Sequence, residues 1–148
     1  MKRFLLPLIM LMLGPMTIEG QVVPSAYTPL NPCRIFDSTP GPTLTAGTTY
    51  WDLARGSCNV PQTANAVALT LTASGASAAG TLKVWDSGSS EPAVSGMAFR
   101  GDGTDSSFSI VRLCYPVEEC STEDIAIKVV TSNSHVVLDV VGYFEPLP

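Results

Sequence analysis

Most of what catalysis and nucleic-acid binding draw on is scarce in this chain. Only 14% of its 148 residues are charged, Lys and Arg number 8 against 13 Asp and Glu, and His occurs once, at His135. A net charge of −5 without clustered basic residues excludes nucleic acid as a partner, because phosphate contacts need Lys and Arg gathered on one face. No C-x-x-C is present and the single His stands alone, so a zinc site is not expected. No G-x-S-x-G is present either. Outside the first residues no helical period is found, and the apolar residues are dispersed rather than gathered into spans of about 20 that would cross a membrane.

The N-terminus reads as an export signal. Lys2 and Arg3 precede the apolar run from Phe4 to Leu13, followed by Gly14, Pro15 and Gly20, the order of a secretory signal peptide over residues 1–20. The run is too short to span a bilayer, although an uncleaved N-terminal anchor is the competing reading. Cleavage after Gly20 leaves one secreted domain, residues 21–148. Loss of Lys2, Arg3 and Glu19 takes its net charge from −5 to −6. Membrane contact is then expected only through the signal peptide, with the mature protein secreted or retained non-covalently at the cell surface.

Export gives the four cysteines their meaning, since an oxidising compartment favours disulfides. Three pairings are possible. Cys33–Cys58 with Cys114–Cys120 is favoured, because the second pair brackets a segment of a length suited to a turn.

The rest reads as strands. Val and Thr occur 14 times each, and short runs rich in Val, Ile and Thr recur between Gly, Pro, Ser and Asp clusters. Candidate strands are Arg34–Asp37, Thr48–Leu53, Ala66–Thr72, Thr81–Trp85, Val94–Phe99, Ser107–Cys114, Ile125–Thr131 and Val136–Phe144. About eight strands imply an all-β, antiparallel β-sandwich, with a β-barrel as the alternative. Val67, Leu69 and Leu71 alternate with Ala68, Thr70 and Thr72, the pattern of a strand with one buried face. Val136 to Val141 is apolar throughout except at Asp139, which predicts a central strand covered on both faces. The prolines before Cys33 predict an extended or turning segment.

Asp139 is therefore expected to need a partner, because burying an unpaired carboxylate costs several kcal/mol. Arg34 is the expected one, forming a buried pair that fixes register; a catalytic or ligand-binding carboxylate is the sharper alternative. A Ser or Cys hydrolase would have to be built around His135, in the turn-like Ser132-Asn133-Ser134-His135. Carboxylates for glycoside hydrolysis would come from Asp37, Asp52, Asp86 or Asp139. Arg100-Gly101-Asp102-Gly103-Thr104-Asp105 reads as a hairpin loop, with Asp102 and Asp105 as candidate calcium ligands and Arg100-Gly101-Asp102 spelling an adhesion tripeptide. Trp51 and Trp85, with Tyr50, Tyr115 and Tyr143, are candidates for a sugar-stacking surface. Trp85 shares a strand face with Lys83, opposite Leu82 and Val84.

Asn31-Pro32-Cys33-Arg34-Ile35-Phe36-Asp37, Cys58-Asn59-Val60-Pro61, the run from Ala66 to Thr72, Ala79 to Trp85 and the ending Asp139-Val140-Val141-Gly142-Tyr143-Phe144 resemble a family of exported bacterial β-domains. That family recurrently opens on Pro-Cys-Arg-x-x-Asp and closes on Asp-Val-Val-Gly-Tyr-Phe. The resemblance implies export and a tie between first and last strands through Arg34, Asp37 and Asp139; it implies no activity. The chain departs from the pattern at Asp37-Ser38-Thr39, where Asp-Thr-Arg is usual, at Leu69-Thr70-Leu71-Thr72, where Leu-Asn-Val-Thr is usual, and in its added Cys114 to Cys120 loop.

The expectation is a non-catalytic extracellular or cell-surface structural or binding module without a cofactor, whose partner is a protein, a glycan or a second copy. A carbohydrate-binding module and a calcium-dependent adhesin are the alternatives.

Overall fold

The computed structural model describes residues 24–114, 120 and 122–148. The expected signal peptide and cleavage site, and Tyr115, lie outside the described residues. Among the described residues every regular element is a strand: β1 (Ser25–Asp37), β2 (Thr49–Asp52), β3 (Ala66–Ser74), β4 (Gly80–Asp86), β5 (Met97–Phe99), β6 (Thr104–Arg112), β7 (Ile125–Val130) and β8 (His135–Pro146).

These strands form two antiparallel sheets, ordered β1-β8-β3-β6 and β2-β7-β4-β5. The sheets do not close on one another, so the fold is a sandwich and not the alternative barrel. Alternation decides which residues meet in the middle. Val67, Leu69 and Leu71 of β3 and Val136, Leu138 and Val140 of β8 face Leu82 of β4 and Ile125, Ile127 and Val129 of β7, and all are fully buried. Each such aliphatic side chain contributes roughly 1.5–3 kcal/mol by leaving water.

The structure revises three expectations. β1 begins nine residues before Arg34, because its prolines sit on a sheet edge, where a missing N–H breaks no ladder bond. Its register shifts twice, between Pro29 and Cys33 and between Arg34 and Phe36. The central strand β8 is not covered on both faces along its length, since Asp139 and Val141 are only half-buried on the outside. Finally, residues 100–103 make no hairpin. β5 and β6 belong to different sheets, so this loop carries the chain across the sandwich. The loop passes close to Ala78: a Cβ on Gly101 would lie 2.6 Å from the Ala78 Cα.

Candidate binding surfaces

The charged groups singled out in the sequence are mostly held by one another. Arg34 and Asp139 are directly opposite in the β1–β8 register, and Arg34 Nε donates to Asp139 Oδ1 over 3.1 Å. Arg34 Nη1 donates to Asp37 Oδ2 over 2.8 Å, and Asp37 also accepts from the Thr39 N–H and hydroxyl. The Thr39 hydroxyl and N–H hold the Asp37 carboxyl below the usual range, helped by Arg34. The expected burial of the Arg34–Asp139 pair is corrected: the side chains are 53% and 26% exposed, because both project from the outer face of the first sheet.

The buried pair lies elsewhere and was missed. Arg55 and Asp124 are each 5% exposed. Arg55 Nη1 donates to Asp124 Oδ1, and the Ala54 and Arg55 N–H groups donate to Oδ2 at 3.0 and 2.7 Å. The guanidinium is completed by the carbonyls of Ala64, 2.9 Å from Nε, and Cys114, 3.0 Å from Nη2. Arg55 opens a polar Gly-containing segment and Asp124 follows Glu123, so no sequence signal separates this pair from solvated surface charge. Nearby, burial pushes the Asp52 carboxyl up, with a smaller push from Asp124.

Asp105 is likewise engaged. The Arg100 N–H donates to its Oδ2 over 2.8 Å, and the guanidinium grips Oδ1 at 2.9 and 3.2 Å, which depresses the Asp105 carboxyl. Asp102 makes no third member of a metal cage: among the described residues no group of three His, Cys, Asp or Glu is placed to hold a metal. His135 Nδ1 lies 3.2 Å from the Ser38 carbonyl, which can only accept, so that nitrogen carries the proton. The neighbouring hydroxyls turn to the backbone. Ser134 Oγ donates to the Ser74 or His135 carbonyl and Ser38 Oγ to the Val136 carbonyl, so neither addresses the imidazole.

The cysteines pair as Cys33–Cys58 and Cys114–Cys120. Beside the first lies a shallow groove of about 550 Å³ between Pro29, Pro32 and Asn59. It is lined by no titratable side chain.

Each sheet also carries exposed large apolar side chains on its outer face. On the outer face of the second sheet, Trp51 and Trp85 are both opposite Ala126, from the strands on either side of β7. Directly paired residues share a face, so the three form one row across the strands. Trp51 is 56% exposed, Ala126 only 1%, and Trp85 is half-buried with its indole N–H donating to the Ser89 carbonyl over 3.2 Å. The next row holds Thr49, Lys128 and Lys83. Glu91 receives both lysines at 2.7 Å, which lowers its carboxyl, Lys128 contributing most. Tyr50 points inward instead, packing on the core, and Tyr143 does the same in the first sheet.

On the opposite side, the outer face of the first sheet exposes Phe108 and Ile110 at 60% and 57%, both on β6. β6 pairs with β3 along one edge, and no described strand pairs with the other.

Two disulfides are compatible with an extracellular protein, and among the described residues no helix is long and apolar enough to cross a membrane. Compared with protein-family models, curated proteins and solved structures, the chain matches none.

Proposed function

We propose that this is an exported, non-catalytic module that works by association, joining a second copy of itself through the free edge of β6. One observation carries the reading. Among the described residues, three of the four sheet edges are blunted and the fourth, that of β6, is not. β1 is interrupted by Pro29, Pro32 and two register shifts, β2 has 4 residues and β5 has 3. Proline, bulges and short length are the ordinary means of preventing edge-to-edge pairing. β6 runs for 9 residues, Thr104 to Arg112, with no proline, and presents Phe108 and Ile110 beside its open edge. Antiparallel pairing of two β6 strands would continue the first sheet from one copy into the next and gather four apolar side chains on one face.

The export signal at residues 1–20 and the two disulfides support a secreted or cell-surface location. The opening and closing signatures, which meet at Arg34, Asp37 and Asp139, support an architectural use of those charges. The non-catalytic part rests on how the ionisable groups are engaged: His135 on a carbonyl, Asp105 on Arg100, Asp37 and Asp139 on Arg34.

Light scattering of the processed protein across a concentration series tests the reading. A dimer or longer assembly is expected, reduced to monomer by Ile110→Lys at unchanged thermal midpoint. A wild-type protein that stays monomeric at high concentration overturns the association. Turnover of any substrate that is abolished by His135→Ala overturns the non-catalytic part.

A further inference from the structure

We infer that residues 87–96, which join β4 to β5, form a strap that lifts from the outer face of the second sheet without unfolding it, with Glu91 as its latch. None of the strap's side chains belongs to the hydrophobic core, and its one branched aliphatic, Val94, is 75% exposed. A segment with so few buried apolar contacts opens at a free energy well below that of the whole domain. Its ends, by contrast, are fixed. The Ser87 N–H donates to the Asp124 carbonyl over 3.1 Å, and the Gly96 N–H to the Leu82 carbonyl over 3.1 Å. Gly88 is packed so closely that a Cβ there would lie 2.6 Å from Cys114 Sγ. Fixed ends and a coreless middle make a hinged flap.

What holds the middle down is polar. Lys83 Nζ donates to Glu91 Oε1 and Lys128 Nζ to Oε2, while the Pro92 carbonyl accepts from Lys83 over 2.8 Å and the Ser89 carbonyl from the Trp85 indole. The two lysines are directly opposite in the β4–β7 register, with side chains only 13% and 18% exposed. Like charges placed opposite one another repel, more so where water is kept away. Glu91 relieves that repulsion from above, so the sheet itself draws the strap shut. Lys83 from β4 and Lys128 from β7 are the charged groups that face it; β2 adds only the uncharged Thr49 to this row, and Asp86, at the foot of the strap, accepts from Ser89 Oγ instead. Lys128, then Lys83, hold the Glu91 carboxyl below its ordinary range. A carboxyl lowered by folding contributes its hold above its unfolded value and loses it as pH falls through the lowered one, so the latch is shut at neutral pH and released by acid. Lifting the strap bares two ammonium groups on adjacent strands of a protein whose net charge is −5. The device thus governs access to a basic patch on an acidic molecule.

Two readouts on the processed, disulfide-intact protein test the inference. In Trp51→Phe, Trp85 is the remaining indole, and its bond to Ser89 makes its emission follow the strap. That emission should shift to the red as pH falls below the ordinary carboxylate range. With Glu91→Gln added, the red-shifted emission should be present at neutral pH and the acid step absent. An elastase-type endopeptidase, which cuts after small apolar residues such as the exposed Ala93 and Val94, reads opening directly. At neutral pH it should nick Glu91→Gln within the strap about three- to tenfold faster than wild type, the span expected for loss of two surface ion pairs. Lys128→Met, which breaks the latch from the sheet side, should also be nicked faster, so the result does not rest on one variant. Equal nicking of wild type and both variants overturns the latch, as does an acid step of unchanged size in Glu91→Gln, which assigns it to another carboxyl. Nicking confined to conditions that unfold the whole domain overturns the strap as an independent unit.

Discussion

The guanidinium of Arg55 can end inside the fold because its donors are met there by Asp124 and the carbonyls of Ala64 and Cys114. In return, Asp124 accepts from the Ala54 and Arg55 N–H groups, while its own backbone links to Asp52, Ser87 and Cys114. One ion pair thereby ties the segment after β2 to the start of β7. Removing one partner strands the other charge, so Asp124→Asn or Arg55→Met should lower unfolding free energy by about 3–5 kcal/mol in a urea titration. Arg34→Met, which breaks the outer pair, should move the midpoint far less, since water already solvates that guanidinium. Sequence reasoning located the charge conflict at Asp139, where a carboxylate interrupts a run of valines, and paired it with the residue that does contact it. It misplaced the burial, because an outward side chain on a central strand stays wet unless something covers the sheet. Asp124 gave no comparable signal: what buries it is the packing of residues 53–65, a long-range event invisible in a row of acidic neighbours.

Period-two alternation made β3, β4 and β7 legible to within a residue or two, because the same side chains that favour the pleat also fill the core. β1 was hidden by its prolines, which argue against a strand except at an edge. The β5–β6 connection was misread for a different reason. Gly and Asp between two apolar runs signal a turn equally well whether the runs pair with each other or with strands of opposite sheets. The distinction lies in strand pairing, β5 with β4 and β6 with β3, and the loop's close approach to Ala78 predicts a contrast between its two glycines. Gly101→Ala forces Cβ against the Ala78 backbone and should cost about 1–3 kcal/mol, seen as a lower thermal midpoint. Gly103→Ala meets nothing within 4 Å and should change stability by no more than about 0.5 kcal/mol. The two tryptophans are the converse case. Their residue type drew notice in the sequence, but only the pairing of both β2 and β4 with β7 puts them in one row.

For the molecule as a whole, the two disulfides differ in reach. Cys33–Cys58 closes a sequence separation of 25 and joins the edge strand β1 to the loop that carries Arg55, whereas Cys114–Cys120 closes a separation of 6. Chain-entropy arguments assign them about 3.5 and about 2 kcal/mol respectively. Cys33→Ala/Cys58→Ala should therefore lower the denaturation midpoint more than Cys114→Ala/Cys120→Ala, a ranking that calorimetry of the two double variants checks. The first bridge also bears on how the protein answers to pulling. β1 and β8 run antiparallel with Ser25 opposite Pro146, and the Leu147 N–H donates to the Pro24 carbonyl over 2.9 Å, so both ends of the domain leave from the same corner. Tension between them loads one rung at a time, the geometry in which a ladder opens like a zipper at low force. Peeling advances from Ser25 through Pro32 and there meets Cys33, where the load passes from hydrogen bonds into a covalent link to Cys58. A tethered copy would lengthen by those few residues, hold, and close again when slack returned.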